Sequence, residues 1–187
     1  MDILSGLMLA APAGVNAYIP LLAVALAQRF GWLQLAEPYD LLGSWWAIAL
    51  IATLLVVEVV ADKIPAADHV NDAVQTVVRP AAGGLLAVAA SGQATPSSVL
   101  LLVAGILIAG GVHAVKASAR PVVNVSTAGV GAPVVSTVED VGALIVTVLA
   151  LVVPLLALFV VAGLVVWAVL AVRRRRRRSR TADPSLR

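Results

Sequence analysis

Two segments of the chain hold most of the residue types that could do chemistry. In the first, Glu58 and Asp62 stand four residues apart, on one face of a helix, and Pro65 breaks or restarts that helix. The stretch 64–78 is amphipathic. Ile64, Ala67, Val70, Val74, Val77 and Val78 are its apolar side, and Asp68, Asp72, Gln75 and Arg79 follow a 4-3-4 spacing that makes one polar stripe. The stripe reads either as the wet face of an interfacial helix or as a strip folded over the mouth of a helix bundle. In the second case Asp68, His69 and Asp72 join Glu58 and Asp62. Carboxylates with one imidazole suit a hard or borderline divalent cation or a proton relay. No fixed ligand motif is matched, so the spacing is only a weak signal for a divalent cation at Asp68, His69 and Asp72, and no other cofactor is expected.

The second segment offers His113, Lys116, Ser118, Arg120, Asn124, Ser126, Thr127, Ser136, Thr137, Glu139 and Asp140. Between Asn124 and Thr137 it carries hydroxyls and an amide but no charge, a chemistry that coordinates dehydrated ions or sugar and phosphate oxygens. Glu139 and Asp140 open a long helix, where acids also favour the N-terminal dipole. Lys116 and Arg120, four residues apart, would hold a lipid phosphate or set topology, and Arg79 belongs with them. Enzyme signatures are missing: there is no GxSxG, HExxH or phosphate-binding loop. With no Cys, thiolate metal sites and cysteine nucleophiles are excluded.

The elements that must position these groups are membrane helices. Hydrophobic residues make up 61% of the 187, and charged residues only 12%, about half the share of a soluble domain. So few charges cannot cover a water-facing surface, which excludes soluble globular and disordered classes. Residues 3–27, 41–61 and 97–115 each approach the roughly 20 apolar residues a crossing needs. The first is interrupted by Pro12, Gly14 and Pro20; it carries a mock cleavage site at Ala11–Ala13 but no basic lead-in, so a retained span is expected. Residues 141–172 form one uncharged run, roughly 48 Å as a helix against a core of roughly 30 Å, which must tilt, kink at Pro154 or protrude. Residues 80–91 and 121–138 either cross or re-enter.

If both cross, there are six spans, and all basic residues but Arg29 fall on one side, the positive-inside pattern with both termini cytoplasmic. The predicted fold is therefore all-α and polytopic, with about six spans, some broken or re-entrant, over residues 1–172. Arg173 to Arg178, Arg180 and Arg187 make 8 of the 13 basic residues. Residues 173–187 are expected to be a disordered basic cytoplasmic tail that contacts anionic headgroups, and no nucleic-acid partner is expected.

Ala13-Gly14-Val15-Asn16-Ala17 recurs as Ala128-Gly129-Val130-Gly131-Ala132, each copy beside prolines. Internal repeats with interrupted helices point to transporter-type sites, although small residues also serve close helix packing. Asn16 joins the candidate site on this ground.

The stretches 13–20, 58–65 continuing through Asp68, Asp72, Arg79 and Pro80, and 120–140 with Pro133, Ser136, Glu139 and Asp140 resemble an uncharacterised bacterial membrane family, domain of unknown function 4126. Gly131-Ala132-Pro133 stands where the family pattern leads us to expect Gly-Asn-Pro. The resemblance implies a small polytopic protein of the bacterial inner membrane and marks these polar segments; it supplies no function. The residues themselves favour a small transporter or channel, homo-oligomeric, for an ion or a proton-coupled solute. The alternative is a lipid-binding or scaffolding protein, and an intramembrane enzyme acting on lipid-linked substrates comes last.

Overall fold

The computed structural model describes residues 3–62, 65–91, 98–127 and 131–181. Every regular element among them is helical: α1 (Ile3–Val15), α2 (Tyr18–Arg29), a 3-10 turn (Tyr39–Gly43), α3 (Trp45–Ala61), α4 (Pro65–Ala89), α5 (Ser98–Ser126), α6 (Gly131–Val152) and α7 (Pro154–Thr181). The all-α expectation holds.

Contacts fix the directions of these helices. Glu58 of α3 meets Arg79 of α4, and Asp62, one turn further along α3, meets Asn71, two turns earlier in α4. α3 and α4 are therefore antiparallel. Gly6 of α1 lies against Ala87 of α4, and Gly14 against Ala109 of α5. The Val15 carbonyl then accepts from Lys116. So α1 runs against α4 and along α5, towards the polar end of both. α2 starts at the same polar end, where the Tyr18 side chain approaches Gln75. It finishes with Gln28 against Gly43, just ahead of α3. The chain therefore reverses at Asn16–Ala17.

This corrects the reading of residues 3–27 as one interrupted span. Neither proline is the breaking point. Pro12 sits inside α1, and Pro20 lies in the first turn of α2, where an amide donor is not needed. At roughly 1.5 Å per residue the two arms are only about 20 and 18 Å long.

Small residues let α1, α4 and α5 approach closely. A Cβ on Gly105 would meet the Gly83 carbonyl and come within 2.7 Å of the Ala87 side chain. Leu9, Ala13, Val24 and Leu86 are fully buried and belong to one hydrophobic core. The inward face of α5 reads Leu101, Gly105, Ala109, His113, Lys116, a helical period that changes from apolar to polar along its length.

Three other expected segments are redrawn. Residues 80–91 are the second half of α4, which continues through Pro80. Residues 121–138 are not one piece: α5 carries on through Pro121 to Ser126, and α6 begins at Gly131. The long run 141–172 divides at Pro154, one of the three outcomes its length required. Of the repeat, Asn16 and Ala17 form the turn between α1 and α2, whereas residues 128–130 lie outside the described residues.

α5 over Ser98–Val123 and α6 are long and apolar enough to cross a membrane; α1, α2 and α3 are apolar but shorter. α7 stays helical through the arginine run to Thr181, where disordered chain was expected from 173. Arginine is a good helix former, and extending a helix is easier than nucleating one.

Candidate functional site

The turn at Asn16 builds one wall of the site. The Asn16 side-chain oxygen accepts from the amides of Tyr18, at 3.1 Å, and Ile19, at 3.2 Å. These are first-turn donors that α2 cannot satisfy itself. Its amide nitrogen donates to the Asp140 carboxylate of α6 at 3.0 Å. On the other side of the turn, Lys116 donates to the Val15 carbonyl at 2.8 Å, a cation at a helix C-terminus. One fully buried amide thus starts α2 and ties the turn to α6. Asn16→Ala removes all three bonds and is expected to cost about 1–2 kcal/mol, read as a lower unfolding midpoint in detergent micelles; an unchanged midpoint would refute this capping role.

Facing the turn, α3, α4, α5 and α6 contribute a closed network of charges. Arg79 is fully buried and donates to Glu58 Oε1 at 2.8 Å. Asp62 gathers three cations on Oδ2: Arg120 at 2.7 Å, Lys116 at 3.4 Å and Arg79 at 4.0 Å. Its other oxygen accepts from Asn71 at 2.7 Å. Lys116 also pairs with Glu139 at 3.0 Å, and Arg120 approaches Asp72 at 3.6 Å. A buried charge is tolerated only when paired in this way.

A second chain of bonds leaves Arg79 towards the outside. Its Nη1 stands 2.9 Å from His113 Nδ1, and His113 Nε2 stands 3.1 Å from the Thr76 hydroxyl. Thr76 gives its own proton to the Asp72 carbonyl. A guanidinium can only donate, so Nδ1 accepts. Nε2 then carries the hydrogen and donates to Thr76, and this bonding pattern makes the imidazole neutral. Two acceptor oxygens deep in the network have no hydrogen-bond partner: Glu58 Oε2 and Gln75 Oε1.

Residues 3–174 match the family described as a domain of unknown function, DUF4126. The chain belongs to that family. No curated protein and no solved structure matches it detectably.

Of the residues singled out in the sequence, the structure brings together Asn16, Glu58, Asp62, Asp72, Arg79, Lys116, Arg120, Ser136, Glu139 and Asp140. Arg79, Lys116 and Arg120 do not face lipid phosphates, as their spacing suggested, but turn inward onto carboxylates. Ser126 and Thr127 stand apart from the cluster. Their hydroxyls bond the Val123 carbonyl, and Thr127 also accepts from the Gly131 amide, so they close the end of α5. The side chains of Asn124, Asp68 and His69 lie outside what is described. Among the described residues no group of His, Cys, Asp or Glu is placed to hold a metal ion.

The sequence reading left Tyr18, Asn71, Gln75, Thr76 and His113 out of the site. Gln75 was legible as a member of the 4-3-4 stripe. His113 shares a helix face with Lys116 and Arg120 at spacings of three and four, a signal as good as the one on α4. Tyr18 and Thr76 carry no such mark.

Proposed function

We propose that this protein is a small integral membrane transporter or channel of the bacterial inner membrane, moving an ion or a proton-coupled solute, and that the charge network at the Asn16 turn is its coupling site. One observation carries the reading. Among the described residues, five carboxylates (Glu58, Asp62, Asp72, Glu139 and Asp140) share one cluster with three cations and a neutral His113. The buried charges balance, Glu58 and Asp62 against Arg79 and Lys116; the excess lies on partly exposed carboxylates, Asp72 and Glu139 among them, and such an excess favours uptake of a proton or a cation. Intramembrane ionisable groups are costly and default to function.

The surroundings support a membrane setting. Large apolar side chains point outward over most of the bundle, among them Trp45, Trp46, Leu100, Leu107, Val115 and Trp167, far more than a water-facing surface carries. We read α1 and α2 as a re-entrant pair, because each arm is too short for a core of roughly 30 Å. Irregular backbone at that depth needs protein or water around it, which the network supplies at Asn16. Under this reading α3 to α6 cross, and residue 3 lies on the face opposite the cluster, in place of the cytoplasmic N-terminus expected from charge bias. A bundle this small favours a homo-oligomer.

The lipid-scaffold alternative draws on Arg79, Lys116, Arg120 and the basic tail; the first three are engaged by carboxylates, which leaves that reading the tail alone.

The test is flux in proteoliposomes across protons, monovalent and divalent cations and anions. Glu58→Gln keeps the volume and removes the charge that Arg79 answers. It is expected to abolish flux while the helical spectrum and oligomeric state are kept. Wild-type flux in that variant would remove Glu58 from the mechanism, and silence of the folded wild type across the panel would remove the transport reading.

A further inference from the structure

A cavity of about 20 Å³ lies between α5 and α6 at the edge of the network, lined by Ala119, Arg120, Val123, Ala132, Val135, Ser136 and Glu139. That volume holds a single water. Ser136 is 2% exposed, and its hydroxyl has no partner in the protein. Burying a hydroxyl without a bond costs about 1–3 kcal/mol, so the position calls for a small polar occupant. The other lining residues are alanines and valines, together with Arg120 and Glu139. These give a water the two to four polar partners it requires.

Glu139 is more open to solvent than Asp72, at 19%, and than the two inner carboxylates. Its side chain is 24% exposed, against 1% for Asp62 and 0% for Glu58. It is also joined to the interior, because Lys116 bridges Glu139 at 3.0 Å and Asp62 at 3.4 Å.

We propose that this cavity is a one-water port through which protons reach the buried network, with Ser136 holding the water and Glu139 receiving the proton. The inference rests on the proton-coupled reading above and extends it by naming the point of entry. In the step, a protonated water in the cavity gives one proton to the Glu139 carboxylate, which becomes a neutral acid, and neutral water remains bound to Ser136. Lys116 then has one charged partner fewer and stays with Asp62. Release runs the same way in reverse.

Three variants separate the parts. Ala132→Leu fills the cavity without touching a polar group. Ser136→Ala keeps the cavity and removes the water's anchor. Glu139→Gln removes the acceptor. The readout that does not depend on transport is the infrared carboxylic-acid band of purified protein after a pH jump. Wild type should gain a band that Glu139→Gln lacks. Ala132→Leu and Ser136→Ala should gain it about tenfold more slowly or worse, as loss of a positioned proton-transfer partner does elsewhere. Wild-type kinetics in both cavity variants, or an undiminished band in Glu139→Gln, would overturn the port. If Ala132→Leu does not fold, Ser136→Ala alone decides, because it only shortens a side chain. Flux in the same proteins keeps the two ideas apart. A transporting wild type with port-independent flux and band kinetics would sink the port and leave transport standing. Port-dependent band kinetics in a protein that moves nothing would do the reverse.

Discussion

Arg79→Met is expected to destabilise the protein by about 3–5 kcal/mol, the largest loss of any single charged side chain in the network. Arg79 is fully buried and answers Glu58, which is 1% exposed. Removing the guanidinium strands a carboxylate whose second oxygen already has no donor among the described residues, and also takes the Arg79 donor from His113 Nδ1. Glu58→Leu in the same chain should recover most of the loss, because a buried ion pair replaced by apolar groups of similar volume is often neutral or better. Recovery will be incomplete by about 1–3 kcal/mol, since His113 still lacks its partner. The measurement is a double-mutant cycle on unfolding in detergent micelles. Additive losses in the double variant would show that the two side chains do not act as a pair. The same cycle distinguishes cost from purpose. If the apolar double variant is as stable as wild type but transports nothing, the pair is retained for function and not for stability.

The network was half legible in the sequence, and the reason is geometric. Period alone announces which residues share a helix face. The stripe Asp68, Asp72, Gln75, Arg79 and the run His113, Lys116, Arg120 can both be read that way, and Asp72 and Arg79 of α4 do meet Arg120 and His113 of α5. What period cannot give is the partner. Arg79, Lys116 and Arg120 have the spacing of a headgroup-binding set, and only the approach of α3 and α6 decides that carboxylates claim them.

The reversal at Asn16 was hidden for a related reason. Hydropathy is symmetric under reversal, so two short arms and one long span look alike. The proline and glycine interruptions marked the right neighbourhood, but the residue that turns the chain is the Asn that caps α2 from inside the break. Residues 121–138 divide between α5 and α6 because Pro121 does not end α5. It lies on an exposed face six positions after Val115, where α5 carries on around it.

Gly105→Leu is expected to separate α4 from α5, and with them the two halves of the site. A Cβ at this position meets the Gly83 carbonyl oxygen and the Ala87 Cβ, at 2.7 Å for the latter. Neither obstacle is the end of a flexible side chain, so no rotamer change relieves the clash and the helices must move apart. Overpacking costs about 1–3 kcal/mol where neighbours can adjust; here the loss should reach or exceed the upper end. Gly111→Leu is the control on the same helix. A Cβ there has nothing within 4 Å, and leucine is the better helix former by roughly 0.8 kcal/mol, so its unfolding midpoint should hold or rise. Equal midpoints for the two variants would mean that α4 and α5 do not touch at Gly83–Gly105. The smaller change Gly105→Ala carries the functional consequence. Arg79 lies one turn from Gly83, and His113 two turns from Gly105, so a few tenths of an ångström of separation at the glycine contact stretches the 2.9 Å link between Arg79 and His113. Gly105→Ala should therefore lose flux out of proportion to its loss of stability, because the close approach that small residues permit is what sets the distances in the charge network.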